Sequence, residues 1–284
     1  MNNIFDETKY LMKKYNISAN KSLGQNFLID ESVIDDIIEK SEINKSDLVI
    51  EIGPGFGTLS KYILEKAGKL IAIELDTRMI SILNDRFKLY NNFEVINEDV
   101  LKINLSELIE AKLNENNNLK NIKVVANLPY YITTPIIMKL LEDRLDIESI
   151  TVMVQKEVAD RLAAESGSKL AGAITYSVDY YSEAVEILDV PKESFIPAPE
   201  VDSEVIKLTL RKAPKVIVKD EEKLFKLIKA SFMQRRKTFL NGVSNSGLAS
   251  KEEIKNVFEK LGIEENVRGE NLTLEQFAEI VDLL

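Results

Sequence analysis

The sequence predicts an α/β fold: a parallel sheet covered by helices on both faces, followed by a small all-helical domain. Three observations point there. Short apolar runs alternate with segments of helical spacing from residue 48 to residue 155, and strand, helix, strand at that pitch makes parallel neighbours. The first run ends in a glycine-rich turn, Gly53-Pro54-Gly55-Phe56-Gly57. Beyond Ala213 strand signals stop and only helical spacing continues. The expected division is residues 1–212 for the α/β domain and 213–284 for the helical one.

Residues 48–52, 70–75, 93–97, 124–127 and 150–155 read as strands. Each is short and apolar on both faces, as a strand covered on both sides must be. Residues 58–66, 78–87, 105–112 and 134–141 carry apolar residues at helical intervals between them. A polar loop at 165–169 leads to a helical stretch over 170–181. Two further strands, 184–189 and 201–210, are joined by the proline-rich connection 191–199. Residues 114–118 form an Asn-rich loop, and no internal repeat is visible.

A chain of 284 residues with 45% hydrophobic and 30% charged content can bury one large core and one small one. No apolar run approaches the roughly 18 to 20 residues that a membrane span needs, and Asp6 and Glu7 stand where a signal peptide would be apolar. A cytoplasmic protein with no membrane partner is the expectation. The chain has no His and no Cys. That removes thiolate nucleophiles, disulfides, iron–sulfur clusters, Cys/His zinc sites and Ser-His-Asp triads, and no metal site is expected.

The formal charge of −10 is unevenly spread. Residues 207–237 hold eleven Lys/Arg against three acids, a local +8 that leaves −18 elsewhere. Charge runs of this kind usually mark a solvated helix face; the alternative is a surface for phosphates.

The glycine turn lets backbone approach a ligand and adopt angles closed to other residues. By itself it indicates a dinucleotide or a nucleoside. Its Gly-x-Gly-x-Gly spacing differs from the Gly-x-Gly-x-x-Gly of NAD sites. Glu74 ends the second strand about 20 residues on, where an acid accepts ribose hydroxyls in NAD and S-adenosylmethionine enzymes alike. Asp99 follows the third strand, placed to receive an adenine amino group. Either acid alone could be a surface or capping carboxylate. Gly53, Gly55, Glu74 and Asp99 on successive strand ends make one ordered site.

Asn127-Leu128-Pro129-Tyr130 follows the fourth strand and is the most specific motif in the chain. An adenine N6 amine is a poor nucleophile because its lone pair is delocalised into the ring. A carboxamide oxygen from Asn127 and the carbonyl of Leu128 can accept its two hydrogens and hold the lone pair toward a methyl donor. Pro129 stiffens the turn. Tyr130 offers a face for stacking the base, worth roughly 1 to 3 kcal/mol. With a sulfonium as leaving group, catalysis reduces to alignment at about 3 to 3.5 Å, which needs no histidine. Phe195, in Phe195-Ile196-Pro197-Ala198-Pro199, is a candidate to close the other face of the base; the competing reading is a Phe that packs a hairpin.

Five motifs in order now resemble one family: Lys21-Ser22-Leu23-Gly24-Gln25-Asn26-Phe27-Leu28, the Glu-x-Gly-x-Gly-x-Gly turn, Asn-Leu-Pro-Tyr, Phe-x-Pro-x-Pro-x-Val-x-Ser, and Gln234-Arg235-Arg236-Lys237-Thr238. The chain resembles the small-subunit (16S) rRNA adenine dimethyltransferases over essentially its full length. The resemblance implies a class I S-adenosylmethionine-dependent methyltransferase fold, with a seven-stranded Rossmann-like sheet ending in an antiparallel hairpin and a helical rRNA-binding domain. It implies two methyl transfers to each of two adjacent adenosines near the 3′ end of 16S rRNA in the immature small ribosomal subunit, by a monomer. It places cofactor contacts at Asn26, Leu28, Gly53, Glu74, Asp99 and Asn127; Asn26 and Leu28 come from the resemblance alone. It also favours an RNA face at Arg235, Arg236 and Lys237. The chain departs from the family pattern at Phe239-Leu240-Asn241, where Leu-Arg-Asn is usual.

Three rivals are weighed against this. An erythromycin-resistance-type 23S rRNA adenine N6-methyltransferase shares the sheet and the Asn-x-Pro-Tyr logic, but those chains tend to be shorter and strongly basic; the acidic total and the Asn266–Leu272 stretch favour the small-subunit enzyme. A ribosome-assembly factor with incidental methylation would keep the same site. An NAD oxidoreductase is disfavoured by the glycine spacing and by residues 127–130.

Overall fold

The computed structural model describes residues 3–234 and 236–284, with Lys21 in its backbone only. In chain order the elements begin with α1 (Ile4–Lys14), β1 (Phe27–Leu28), α2 (Glu31–Lys40), β2 (Asp47–Ile52), α3 (Thr58–Lys66), β3 (Lys69–Glu74), α4 (Thr77–Phe87) and β4 (Phe93–Asn97). There follow α5 (Leu105–Glu115), β5 (Asn121–Asn127), α6 (Thr133–Glu142), β6 (Ile147–Gln155), α7 (Lys156–Ala163) and α8 (Ala173–Tyr181). The chain closes with β7 (Ser182–Val190), β8 (Phe195–Ile196), β9 (Ser203–Leu210), α9 (Glu221–Phe232), α10 (Phe239–Asn245), α11 (Lys251–Leu261) and α12 (Leu274–Leu283).

Among the described residues, seven strands form one sheet in the order β4-β3-β2-β5-β6-β9-β7. The strands from β4 through β6 are parallel, and β9 is antiparallel to β6. The order reverses between β2 and β5, which carry the glycine turn and the Asn-Leu-Pro-Tyr turn at their carboxyl ends. A ligand crevice belongs at such a switch point. Below it, Val49, Val125, Met153 and Val205 pack with Ile34 and Ile38 of α2, Ile63 of α3 and Met79 and Leu83 of α4. At the other end of β2, Asp47 and Lys123 form an ion pair of 3.1 Å with side chains 0% and 3% exposed. Asn44 and Asn121 donate to the remaining lone pairs of Asp47, and Lys123 also donates to the Glu42 carbonyl. Such saturation is what keeps a buried ion pair tolerable.

The helix starts follow from their caps: Asn3, Asp30, Asp76 and Asn104 each accept a first-turn amide. Ser250 with Glu253, and Thr273 with Gln276, close reciprocal capping boxes. Among the described residues no helix is long and apolar enough to cross a membrane.

The chain divides into two compact units, and the division differs from the expected 1–212 and 213–284. One unit is Met1–Ala159 with Val185–Leu210; the other is Asp160–Ala184 with Arg211–Leu284. Residues 160–184 join the helices because α8 supplies their core. The Tyr176 ring lies 4.9 Å from Phe277 and 5.5 Å from Phe232, and its hydroxyl donates to the carbonyls of Gly269 and Leu272. Tyr180 and Tyr181 both donate to Glu221 at the start of α9. The helical spacing of 170–181 announces the helix but not which core it completes.

Candidate functional site

The apolar run of β2 ends where Gly53 and Gly57 take left-handed angles, φ +69° and +78°. These lift the backbone over the sheet edge and start α3. At the end of β3, one carboxylate oxygen of Glu74 accepts the Gly55 amide at 3.1 Å and the other the Asp76 amide at 2.8 Å. Burial raises the Glu74 pKa, against the lowering effect of these backbone donors. Asp99 is half-buried and accepts the Leu101 amide at 3.0 Å.

Asn127 ends β5. Its side-chain nitrogen donates to the Asn26 carbonyl at 3.0 Å, which fixes the amide and leaves Oδ1 as an acceptor. The Leu128 amide donates to the Met153 carbonyl at 3.2 Å. The Pro129 carbonyl accepts from the Ile132 amide and the Thr133 hydroxyl, both at 3.1 Å, so the turn is tied to the start of α6. The Tyr130 hydroxyl meets the Ser203 hydroxyl at 2.5 Å, and burial raises the Tyr130 pKa.

One cleft, about 1060 Å³ of empty space counting its open mouth, gathers these groups. Asn26, Leu28, Gly53, Gly55, Glu74 and Asp99 line it, and so do Asn127, Leu128, Pro129 and Tyr130. The structure therefore brings together residues that are up to 104 positions apart, from Asn26 to Tyr130.

Phe195 is not among the lining residues. It lies in β8, paired with Leu28 of β1, 3% exposed and packed in the hydrophobic core beneath. Its burial matches the packing alternative, and the stacking role is not supported. Of the basic trio, Arg236 and Lys237 are exposed, and Arg235 lies outside the described residues. Within the wider basic segment, Arg211, Lys215 and Lys226 are ion-paired with Glu183, Asp179 and Glu222, and Lys207 with Glu42. Glu222 is already counted in the local +8, and the acids from outside the segment, Glu42, Asp179 and Glu183, offset part of the rest. Leu240, where the family usually has Arg, is buried in the helical core.

Glu51 enters the sequence reading only as the first residue of the Glu-x-Gly-x-Gly-x-Gly turn, without a role of its own. It lines the cleft, is 2% exposed, accepts the Ser60 hydroxyl at 2.5 Å, and burial pushes its pKa up to about 8. The available signal was an acid just before the glycine turn, after the apolar run 48–50. Tyr131 was missed as well; it stands exposed on the cleft, against Gly24.

A Rossmann-like sheet whose order turns over at β2 and β5, with an Asn-Leu-Pro-Tyr turn opening into the crevice there, defines a methyltransferase. The model of the ribosomal RNA adenine dimethylase family matches residues 16–284, and the chain belongs to that family. It is 49% identical over 281 residues to ribosomal RNA small subunit methyltransferase A of Lachnoclostridium phytofermentans, covering 98% of this chain and 96% of that one. It is 49% identical over 277 residues to the protein of the same name from Clostridium botulinum, covering 98% of each. Among solved structures, a dimethyladenosine transferase from Plasmodium falciparum superposes with a TM-score of 0.75 at 27% identity, over 89% of this chain and 95% of that one. The 23S rRNA methyltransferase ErmE shares the fold, with a TM-score of 0.68 at 23% identity, over 91% and 99% of the two chains.

Proposed function

We propose that this chain transfers methyl groups from S-adenosylmethionine to the N6 amines of two adjacent adenosines near the 3′ end of 16S rRNA, in the cytoplasm, during small-subunit maturation. The observation that carries the reading is the Asn127 carboxamide. With one N–H anchored on the Asn26 carbonyl, the carboxamide is held and its oxygen is the atom that can accept from an amine in the cleft.

The residues present fit the cofactor. Glu51 is a buried carboxyl with a raised pKa, which an ammonium beside it would satisfy and ionise. Glu74 has lone pairs beyond those used by Gly55 and Asp76 for ribose hydroxyls. Asp99 lines the cleft as a carboxylate able to accept from an adenine amino group, and glycine at position 53 keeps a side chain out of the open space beside it. When bound, S-adenosylmethionine supplies a methyl group on a sulfonium, activated for displacement.

The chain's own part is alignment. Asn127 Oδ1 and the Leu128 carbonyl accept the two N6 hydrogens, which draws the amine lone pair out of conjugation. Tyr130, braced through Ser203, offers its ring to the base. The nitrogen gains a methyl and loses one proton to solvent. The monomethylated amine still has one hydrogen to donate, so one of the two acceptors can hold it for the second transfer.

The test is to map N6-methylated adenosines in small-subunit RNA from cells with and without this protein. Two adjacent dimethyladenosines that vanish with the protein are expected. An unchanged map overturns the assignment.

A further inference from the structure

Asn127 is oriented by a backbone carbonyl 101 residues away in sequence. That carbonyl belongs to a segment with little regular structure, so something else must fix its place. On the carboxyl side, Phe27 and Leu28 pair with Ile196 and Phe195, and the Ile29 amide donates to the Ser194 carbonyl at 2.9 Å. On the amino side, among the described residues, the hydrogen bond that ties residues 20–25 to the chain after β3 comes from the Gln25 side chain. Gln25 Oε1 accepts the Asn20 amide at 2.9 Å, and Gln25 Nε2 donates to Asp76 Oδ2 at 2.9 Å.

Asp76 is itself fully committed. It caps α4, binds the Arg78 guanidinium through both oxygens, and gives its own amide to Glu74. The connection Glu74, Asp76, Gln25, Asn26, Asn127 therefore joins the ribose-binding carboxylate to the amine-gripping amide by hydrogen bonds and one peptide link.

We propose that Gln25 is a positioning residue for methyl transfer, holding the Asn26 carbonyl where it orients the Asn127 carboxamide. The inference rests on the assignment of Asn127 as amine acceptor. Gln25 suits the role because it must accept at one end and donate at the other. Its amide cannot be inverted without setting its NH2 against the Asn20 amide and its oxygen against a carboxylate.

Polarity gives the test. Gln25→Glu still accepts the Asn20 amide but opposes the Asp76 carboxylate. Asp76→Asn keeps the α4 cap, gives up the half-exposed ion pair with Arg78, and sets its NH2 against that of Gln25. The Gln25→Glu/Asp76→Asn pair restores a donor facing an acceptor. Each single variant is expected to slow single-turnover methyl transfer roughly 10- to 100-fold at saturating S-adenosylmethionine, with the KM for undermethylated small subunits little changed. The double variant is expected to recover to within about 3-fold of the parent.

Amide hydrogen exchange over residues 20–28 of the cofactor-free protein gives a readout independent of turnover: faster in each single variant, restored in the pair. Singles as fast as the parent in both assays, or a pair as impaired as the two singles combined, overturns the proposal. A parent protein that protects residues 20–28 in this polarity-dependent way but transfers no methyl group would instead overturn the functional assignment. If Asp76→Asn does not fold, Gln25→Glu alone, with unaltered exchange and turnover, still refutes it.

Discussion

The Ser60 hydroxyl donates to the Glu51 carboxyl at 2.5 Å inside the wall of the cleft. Among the described residues no cation stands beside the buried Glu51, and burial pushes its pKa up from 4.5 to about 8. Folded, it holds its proton more tightly than unfolded. This group's contribution to stability is thus greatest below about pH 4.5 and declines as pH rises toward about 8. Glu51→Gln is expected to flatten that decline in thermal unfolding of the cofactor-free protein. At pH 7, S-adenosylmethionine binding should release a proton, seen by calorimetry in buffers of different ionisation heat, and the variant should release none.

Asn127→Ala removes the side-chain acceptor and the bond to Asn26. Methyl transfer should fall by roughly 10²-fold or more, with S-adenosylmethionine binding weakened but measurable. Single-turnover rates and equilibrium titration check the two halves separately.

Tyr130 and Phe195 should separate cleanly. Tyr130→Ala removes a ring from the cleft and should weaken the RNA complex by about 1 to 3 kcal/mol, while Tyr130→Phe retains most of it. Phe195→Ala empties core volume and should cost about 3 to 5 kcal/mol of stability, measured by denaturant unfolding. An RNA affinity that falls with Phe195→Ala at unchanged stability would restore its stacking role.

Lys123→Ala leaves Asp47 charged, buried and short of its partner. The expected loss is about 3 to 5 kcal/mol. Replacing Asp47 and Lys123 together by apolar residues should cost less than the sum of the single changes, which a double-mutant cycle in urea would show.

Neutralising Arg236 and Lys237, both exposed, should weaken RNA binding and lower the salt slope by about 1 for each phosphate contact removed. Neutralising Arg211, already paired with Glu183, should change that slope far less.

What was legible in the sequence is what lies on single strand ends. Gly53, Glu74, Asp99 and Asn127 each follow a short apolar run, so alternation alone sets them side by side at the top of the sheet. Glu51 is visible as the first residue of the glycine-turn motif, but an acid flanked by Ile50 and Ile52 does not disclose that it faces the cleft. The bond from Asn26 to Asn127 and that from Gln25 to Asp76 span 101 and 51 positions, and no local pattern encodes such pairings. The grouping of residues 160–184 with the helices was not legible for a related reason. The helical period of 173–181 is plain, but the partners of Tyr176 come from residues 232, 269, 272 and 277.

The three glycines of one turn do different work. A methyl group added at Gly53 would meet nothing within 4 Å, whereas at Gly57 it would come within 2.5 Å of the Phe87 ring and 2.9 Å of Leu83. The first glycine keeps the crevice clear for a guest, and the last lets two helices close on each other. A side chain at position 53 would therefore obstruct the pocket on top of the strain its φ of +69° imposes, whereas one at position 57 would add a clash within the core to the same strain. Two lesions four residues apart would belong to separate classes of defect.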